Sequence, residues 1–228
     1  MIMKSPALFL IAAACMAPSL AHAASVFPSD PLVSYTAEPG DEFAPLIING
    51  LVTATGLGLG NSLAAIEPGV SVPSSVYLAT TTTSTTPAAA VANQQFMQFT
   101  VSAIPGALIS PGALSFSASR GGLSSPRGWA LTSSLNSFGS ILASSDISTV
   151  QSNFESFQID LSSFNPIATS VVFRIHLYAP AADNGIFLDN ILFSGTAVPE
   201  PASALMGSVS ICMFLLKRNR RANSVSTG

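Results

Sequence analysis

Apolar and polar residues alternate with a period of two in several stretches of the chain. In FMQFTVS, Met97, Phe99 and Val101 fall on one side and Gln98, Thr100 and Ser102 on the other. ALSFSAS sets Leu114, Phe116 and Ala118 against Ser115, Ser117 and Ser119, and FQIDLSS sets Phe157, Ile159 and Leu161 against Gln158, Asp160 and Ser162. SVVFRIHLYA does the same with Val171, Phe173, Ile175 and Leu177 against Val172, Arg174, His176 and Tyr178. A last strand is expected from about Ile186 to Phe193. A repeat of two is the mark of a half-buried strand, because successive side chains leave opposite faces of the pleat. Pro-Gly, Gly-Gly, Asn-Pro and Asp-Asn-Gly turn signals separate the stretches. Many short strands with regular turns indicate an all-β sandwich or barrel.

Helical periodicity is scarce. Its best stretch is Ser137 to Val150, where the serine content argues against a long helix. Leu78 to Asn93, LATTTTSTTPAAAVAN, is low in complexity and reads as an exposed loop, open to O-glycosylation; a strand end over Thr80–Thr83 is the alternative. Residues 24 to 90 are expected to supply the first strands, with LIINGLVTATGLG the best candidate.

Composition alone would suggest a membrane protein. Only 8% of the 228 residues are charged and the mean hydropathy is +0.52. Much of that apolar content sits in two terminal runs, however, so the body reads as a soluble domain with few charges. Between Ala24 and Val198 the cations are Arg120, Arg127 and Arg174 against ten carboxylates, a net of −7. A surface of that sign repels phosphate backbones, which excludes nucleic acid as a partner. Cys15 and Cys212 both lie inside the terminal runs, leaving the body with neither a disulfide framework nor a thiolate metal site.

The N-terminal run has Lys4, an apolar core over roughly Ala7–Met16, then Ala21-His22-Ala23. That is the layout of a secretory signal peptide, with cleavage expected between Ala23 and Ala24. The C-terminal run, Ala202–Leu216, has 15 residues, a helix of roughly 22 Å against a hydrocarbon core of about 30 Å. It inserts only with bilayer thinning or snorkelling by Lys217 and Arg218. The basic residues behind it hold that end in the cytoplasm.

Pro199-Glu200-Pro201, the short apolar run, and Lys217, Arg218, Arg220 and Arg221 together resemble the tripartite PEP-CTERM sorting signal, also described as an ice-binding protein C-terminal domain. The resemblance implies export in a Gram-negative bacterium that makes exopolysaccharide. It further implies processing near the Pro-Glu-Pro by a membrane-embedded exosortase, only a transient stay in the membrane, and release or attachment at the cell surface or in a biofilm matrix. Over Ala92–Gly195 the order SFSASRGG, SPRGWALTSSLNSF, FRIHLYAP, GIFLDNILFSG is similar to the single jelly-roll domain of many such proteins. That domain in turn resembles galactose-binding-like and carbohydrate-binding jelly rolls. The expected organisation is a signal peptide over 1–23, a jelly-roll-like β-sandwich over 24–197, a sorting signal over 198–221 with its transmembrane helix at 202–216, and a tail over 222–228.

Catalytic signatures are sparse. His176 is the one histidine beyond the signal peptide, it sits mid-strand, and no G-x-S-x-G accompanies it. GLGLGN at Gly56–Asn61 lacks nucleotide-loop spacing. Glu155, Asp160, Asp183 and Asp189 could supply the carboxylate pair of a glycosidase, but no spacing pairs them. Asp189 is a candidate calcium ligand on the jelly-roll resemblance, with Asp41 or Glu42 beside it; the alternative is local hydrogen bonding by Asp189 and Asn190. Arg174, His176 and Tyr178 share one strand face and form a candidate glycan platform, the alternative being an ordinary solvated face. Trp129 reads as core. No cofactor is expected. The function these residues indicate is a non-catalytic surface or matrix protein, with exopolysaccharide as a partner. A polysaccharide-active hydrolase and a purely structural surface protein are the rivals.

Overall fold

A computed structural model describes residues 30–36, 43–66, 75–150 and 153–200. Among these residues thirteen strands form two antiparallel sheets packed face to face. In chain order they are β1 (Pro31–Tyr35), β2 (Leu46–Ile47), β3 (Val52–Ala54), β4 (Gly58–Leu59), β5 (Leu63–Ile66), β6 (Val76–Thr80), β7 (Phe96–Ala103), β8 (Ala107–Arg120), β9 (Gly128–Ser133), β10 (Ala143–Asp146), β11 (Glu155–Asp160), β12 (Ser170–Tyr178) and β13 (Gly185–Pro199). The seven-stranded sheet runs β11-β8-β13-β1-β2, with β6 on β13 and β5 on β6. The six-stranded sheet runs β10-β9-β12-β7-β3, with β4 also on β7. The body is therefore the all-β sandwich that the period-two pattern predicts.

The apolar halves of the alternating stretches meet between the sheets. Phe116 from one sheet packs edge-on against Trp129 of the other at 4.9 Å, and Phe157 closes the triangle at 5.7 and 5.1 Å. A second aromatic chain runs Tyr35, Phe99, Phe173, Phe193 with centroids 5.0 to 5.4 Å apart. Such contacts add to the area that the rings remove from water. Trp129 is core, as expected.

Two elements differ from the sequence reading, and a third stretch follows its argument against a long helix. β13 runs to Pro199, well past the expected end at Phe193, because each residue from Gly195 to Pro199 pairs with one from Pro111 back to Ala107. Ser137–Val150 contains no helix; it holds a short 3-10 turn at its border (Ser134–Asn136) and the edge strand β10. The α-helix among the described residues, α1 (Pro87–Ala92), lies instead in the low-complexity stretch read as an exposed loop. Its Thr86 caps the first turn by accepting from the Ala89 N–H at 3.2 Å, and Pro87 takes the first helical position, where no N–H is needed. Among the described residues no helix is long and apolar enough to cross a membrane.

Candidate functional site

The outer face of the six-stranded sheet holds the row Arg174, His176, Tyr178. β12 pairs with β7 and β9, which sets His176 beside Phe96 and Ala130, and Tyr178 beside Gly128. The expectation of a solvent-facing platform is corrected here: His176 and Tyr178 are each only 2% exposed. The cover is the segment from Thr81 to Gln95, with α1 laid across β12 and β9. Ser84 bridges to Ala179, the Leu177 N–H donates to the Gln95 carbonyl at 2.8 Å, and Ala90 is fully buried. Four alanines and small hydroxyl residues let this segment lie close to the sheet, an arrangement that tertiary contacts and not local propensity decide.

Each side chain of the row is spent on structure. The Arg174 guanidinium lies between the rings of Phe96 and Phe138, 4.5 and 4.3 Å from their centroids, and its Nε donates to Gln98 Oε1 at 3.1 Å. His176 Nε2 and the Thr132 hydroxyl share a hydrogen bond of 3.0 Å. Burial pulls the His176 pKa down to about 4; the Ala90 backbone opposes it in part, and the charge of Arg174 adds a smaller downward pull. The imidazole is therefore neutral at ordinary pH. Tyr178 reaches across Gly128 to donate to Asp146 Oδ1 at 2.5 Å, and burial together with that bond keeps the phenol protonated.

The outer face of the seven-stranded sheet differs. Over β11, β8, β13 and β1 an open groove of about 310 Å³ is lined by Ser34, Thr36, Ser115, Ser117, Ser156 and Asn190, with Phe116, Phe157, Ile191 and Leu192 beneath. The groove lies over a β-bulge: the pairing of β13 with β8 shifts between Asp189 and Leu192, and Asn190 takes a positive φ of 51°. The bulge keeps Leu188, Ile191 and Phe193 in the core and lifts Asn190 out. Ser117 and Ser156 share a hydrogen bond of 3.3 Å across β8 and β11. Among the described residues no cation lines the groove. Hydroxyl and amide groups at this spacing can exchange hydrogen bonds with a hydroxylated ligand without an ion pair. The sequence reading missed this site; its trace there is the serine row of ALSFSAS, which resembles any solvated strand face.

The carboxylates lie apart. Asp189 accepts from the Asn190 backbone and side-chain N–H groups, both at 2.7 Å, the local bonding named as the alternative to calcium. Asp41 and Glu42 lie outside the described residues, and no group of three or more metal-ligating side chains occurs among those described. Glu155 accepts from the Ser148 N–H and Asp160 from the Ser162 N–H, both at 2.8 Å; the latter contact holds the Asp160 carboxyl below its usual range. Asp183 occupies the turn before β13 with φ 61°. Asp189 pairs with Ser117 and Asp160 with Ala113, four residues along β8, so those carboxylates stand roughly 13 Å apart along the strand.

Arg120 and Arg127 are both buried at one end of the sandwich. Arg127 donates to the Ser124 carbonyl and hydroxyl, the Gly185 carbonyl and Asn184 Oδ1, tying the loop before β9 to the start of β13. Of the residues expected to form a sorting signal, Pro199 ends β13 paired with Ala107, and just past the strand the Glu200 N–H donates to the Gly106 carbonyl at 2.8 Å. Pro201, Lys217, Arg218, Arg220 and Arg221, and the expected cleavage pair Ala23 and Ala24, lie outside the described residues.

No family model matches the chain. No curated protein matches it either. Among solved structures it is similar to the CBM22-1 xylan-binding domain of Paenibacillus barcinonensis Xyn10C, at 13% identity over 73% of this chain and 95% of that one, with a TM-score of 0.42. It is also similar to a family 11 carbohydrate-binding module of Clostridium thermocellum in complex with a β-1,3-1,4-mixed-linked tetrasaccharide, at 12% identity over 73% and 98%, TM-score 0.36. A third is an arabinose-bound α-L-arabinofuranosidase, MgGH51, at 14% identity over 64% of this chain and 23% of that one, TM-score 0.37.

Proposed function

We propose that the chain is an exported, non-catalytic surface or matrix protein whose sandwich binds a neutral polysaccharide in the groove of the seven-stranded sheet. The observation that carries the binding reading is that groove: an open cleft lined, among the described residues, by Ser34, Thr36, Ser115, Ser117, Ser156 and Asn190 over apolar side chains, with no charged side chain among them. Sugar hydroxyls both donate and accept, and so do these side chains. The body's excess of carboxylates over arginines disfavours a polyuronate. Export and delivery rest on the sequence alone, on the signal-peptide pattern and on the Pro-Glu-Pro, apolar and basic parts of the C-terminus, with an exosortase as the processing partner.

Affinity electrophoresis of the purified protein through gels containing a neutral glucan or xylan, and through gels containing a polyuronate, tests the binding reading. Retardation by a neutral polymer that Ser117→Lys abolishes supports it. Equal migration in every gel overturns it and leaves a purely structural surface protein. Intact mass of the material recovered from medium and cell surface tests sorting. A species from Ala24 to the Pro199–Pro201 region is expected, whereas a membrane-bound chain retaining Gly228 in a host with an exosortase rejects it.

A further inference from the structure

The strand that ends the sandwich also fixes which end of it meets the next part of the chain. Glu200 is still bonded to Gly106 at 2.8 Å, and only Pro201 separates it from the apolar run that begins at Ala202. An extended residue covers roughly 3.5 Å, so this end of the domain is held within a few residues' reach of that run.

Backbone hydrogen bonds gather three other segments at the same end. The Ile104 N–H donates to the Leu51 carbonyl at 3.0 Å and the Ala103 N–H to the Thr169 carbonyl at 2.8 Å. Ile109 and Ile167 exchange bonds of 2.8 and 2.7 Å. The segments 49–51, 104–107, 165–170 and 198–200 read NGL, IPGA, NPIATS and VPE; Glu200 is their one charged residue and none is a cation. Val198 is 42% exposed, Pro105 and Pro166 are exposed, and Leu51 and Ile104 are half-buried. The opposite end presents Leu123 beside buried Arg120 and Arg127.

We infer that in the chain still carrying its tail this end rests on the lipid bilayer, with Leu51, Ile104, Pro105, Pro166 and Val198 at the boundary between headgroups and acyl chains. The inference rests on the reading of Ala202–Leu216 as a membrane-inserted run. Apolar side chains at that depth gain in proportion to the area they bury. The short connection supplies the encounter, since a tethered surface needs little intrinsic affinity to stay docked. Among the described residues this end carries no lysine or arginine, so the contact draws on apolar side chains and not on attraction to anionic headgroups. It therefore needs no anionic lipid and, on zwitterionic lipid, is insensitive to salt.

The test places an indole at each end of the full chain, by Pro105→Trp and separately by Leu123→Trp, in vesicles of phosphatidylcholine with and without brominated acyl chains. The native Trp129, buried in the core, supplies the same background in both. Docking by this end predicts that the indole introduced at position 105 shifts to the blue and loses most of its emission to brominated lipid, unchanged by salt, while the one at 123 does neither. If the chain floats with the vesicles and the indole at 105 keeps solvent-like emission, the docking is wrong and the insertion of the tail stands. If the chain does not float, the tail reading fails and the docking falls with it. Quenching of both indoles alike also rejects a docked end, because it indicates a domain lying without preferred orientation.

Discussion

The outer face of the six-stranded sheet is a covered layer, whereas that of the seven-stranded sheet over β8, β11 and β1 is an open row of small hydroxyl groups. On the first, His176 and Tyr178 are sealed under residues 81–95, and Arg174 is clamped between two phenylalanine rings. On the second, Ser115, Ser117 and Ser156 line a groove that no segment among the described residues fills. The difference lies in what the side chains demand. An arginine, an imidazole and a phenol bring large apolar bodies that reward a cover, provided each polar tip finds a partner. Serines bring almost no apolar area, so a cover over them would gain little and would have to satisfy their hydroxyls. A face that can be left wet at no cost is one that a ligand can occupy.

The covered face depends most on a close approach that only glycine allows. A Cβ on Gly128 would lie 2.2 Å from the Tyr178 hydroxyl and 2.3 Å from the Ser145 carbonyl. Neither can give way cheaply: the hydroxyl is bonded to Asp146, and the carbonyl belongs to the neighbouring strand. Gly128→Ala is expected to cost about 4 kcal/mol or to prevent folding, because β9, β10 and Tyr178 must separate. Thermal and urea unfolding measure this, and a melting temperature unchanged from the parent would show that the Tyr178–Asp146 contact carries no weight.

Next in size is the pH response of the same face. The folded His176 pKa is about 4 against about 6.5 in an unfolded chain. Between those values the unfolded state binds a proton that the folded state refuses. Stability from this group is therefore complete above pH 6.5 and falls as pH drops towards 4, by a total on the order of 3 kcal/mol. His176→Gln removes the titration while keeping an amide for Thr132. Urea midpoints between pH 7 and 4 are expected to fall more steeply for the parent than for this variant. Parallel slopes would mean that the imidazole is protonated in the folded state and that the cover over it is loose.

A smaller effect tests the cover itself. Ala90 is fully buried where α1 meets the sheet. Ala90→Leu adds volume with no space to receive it and is expected to cost about 1–3 kcal/mol. Hydrogen exchange at the Gln95 and Leu177 amides should speed up more than exchange in β8. Uniform acceleration in both sheets would place the helix among the elements that unfold only globally.

The strands were legible in the sequence because their inner faces carry it: Met97, Phe99, Leu114, Phe116, Phe173 and Ile175 all point into the core as their alternation predicts. What alternation cannot report is whether the other face is wet. SFSAS and FRIHLY carry similar patterns and end in opposite surroundings, because the cover over the second comes from threonine- and alanine-rich residues some eighty positions upstream. The groove was hidden for a related reason. It depends on a bulge at Asn190, which a run reading Leu-Asp-Asn-Ile-Leu does not announce, and on register across β11, β8, β13 and β1. The tail end of β13 was missed because Thr196-Ala197-Val198-Pro199 has little alternation and ends in a proline. Its pairing comes from the long partner strand β8 and not from its own residues.

The smallest expected change in stability falls on the open face, and there it separates structure from function. Ser117 lies on the outer side of β8, sharing one weak hydrogen bond with Ser156, so Ser117→Ala is expected to shift stability by less than about 0.5 kcal/mol. Ser117→Lys likewise leaves the core untouched, since a lysine stem can lie along the sheet with its ammonium in water. It places a long side chain and a charge across the groove beside Ser115 and Asn190. Two measurements on the same pair of variants then decide. If both melt with the parent and only the lysine variant loses retardation by a neutral polysaccharide, the serine row is a binding surface that the fold does not need. If the lysine variant binds as the parent does, the groove is not where the polymer lies, and the contrast between the two faces is one of packing alone.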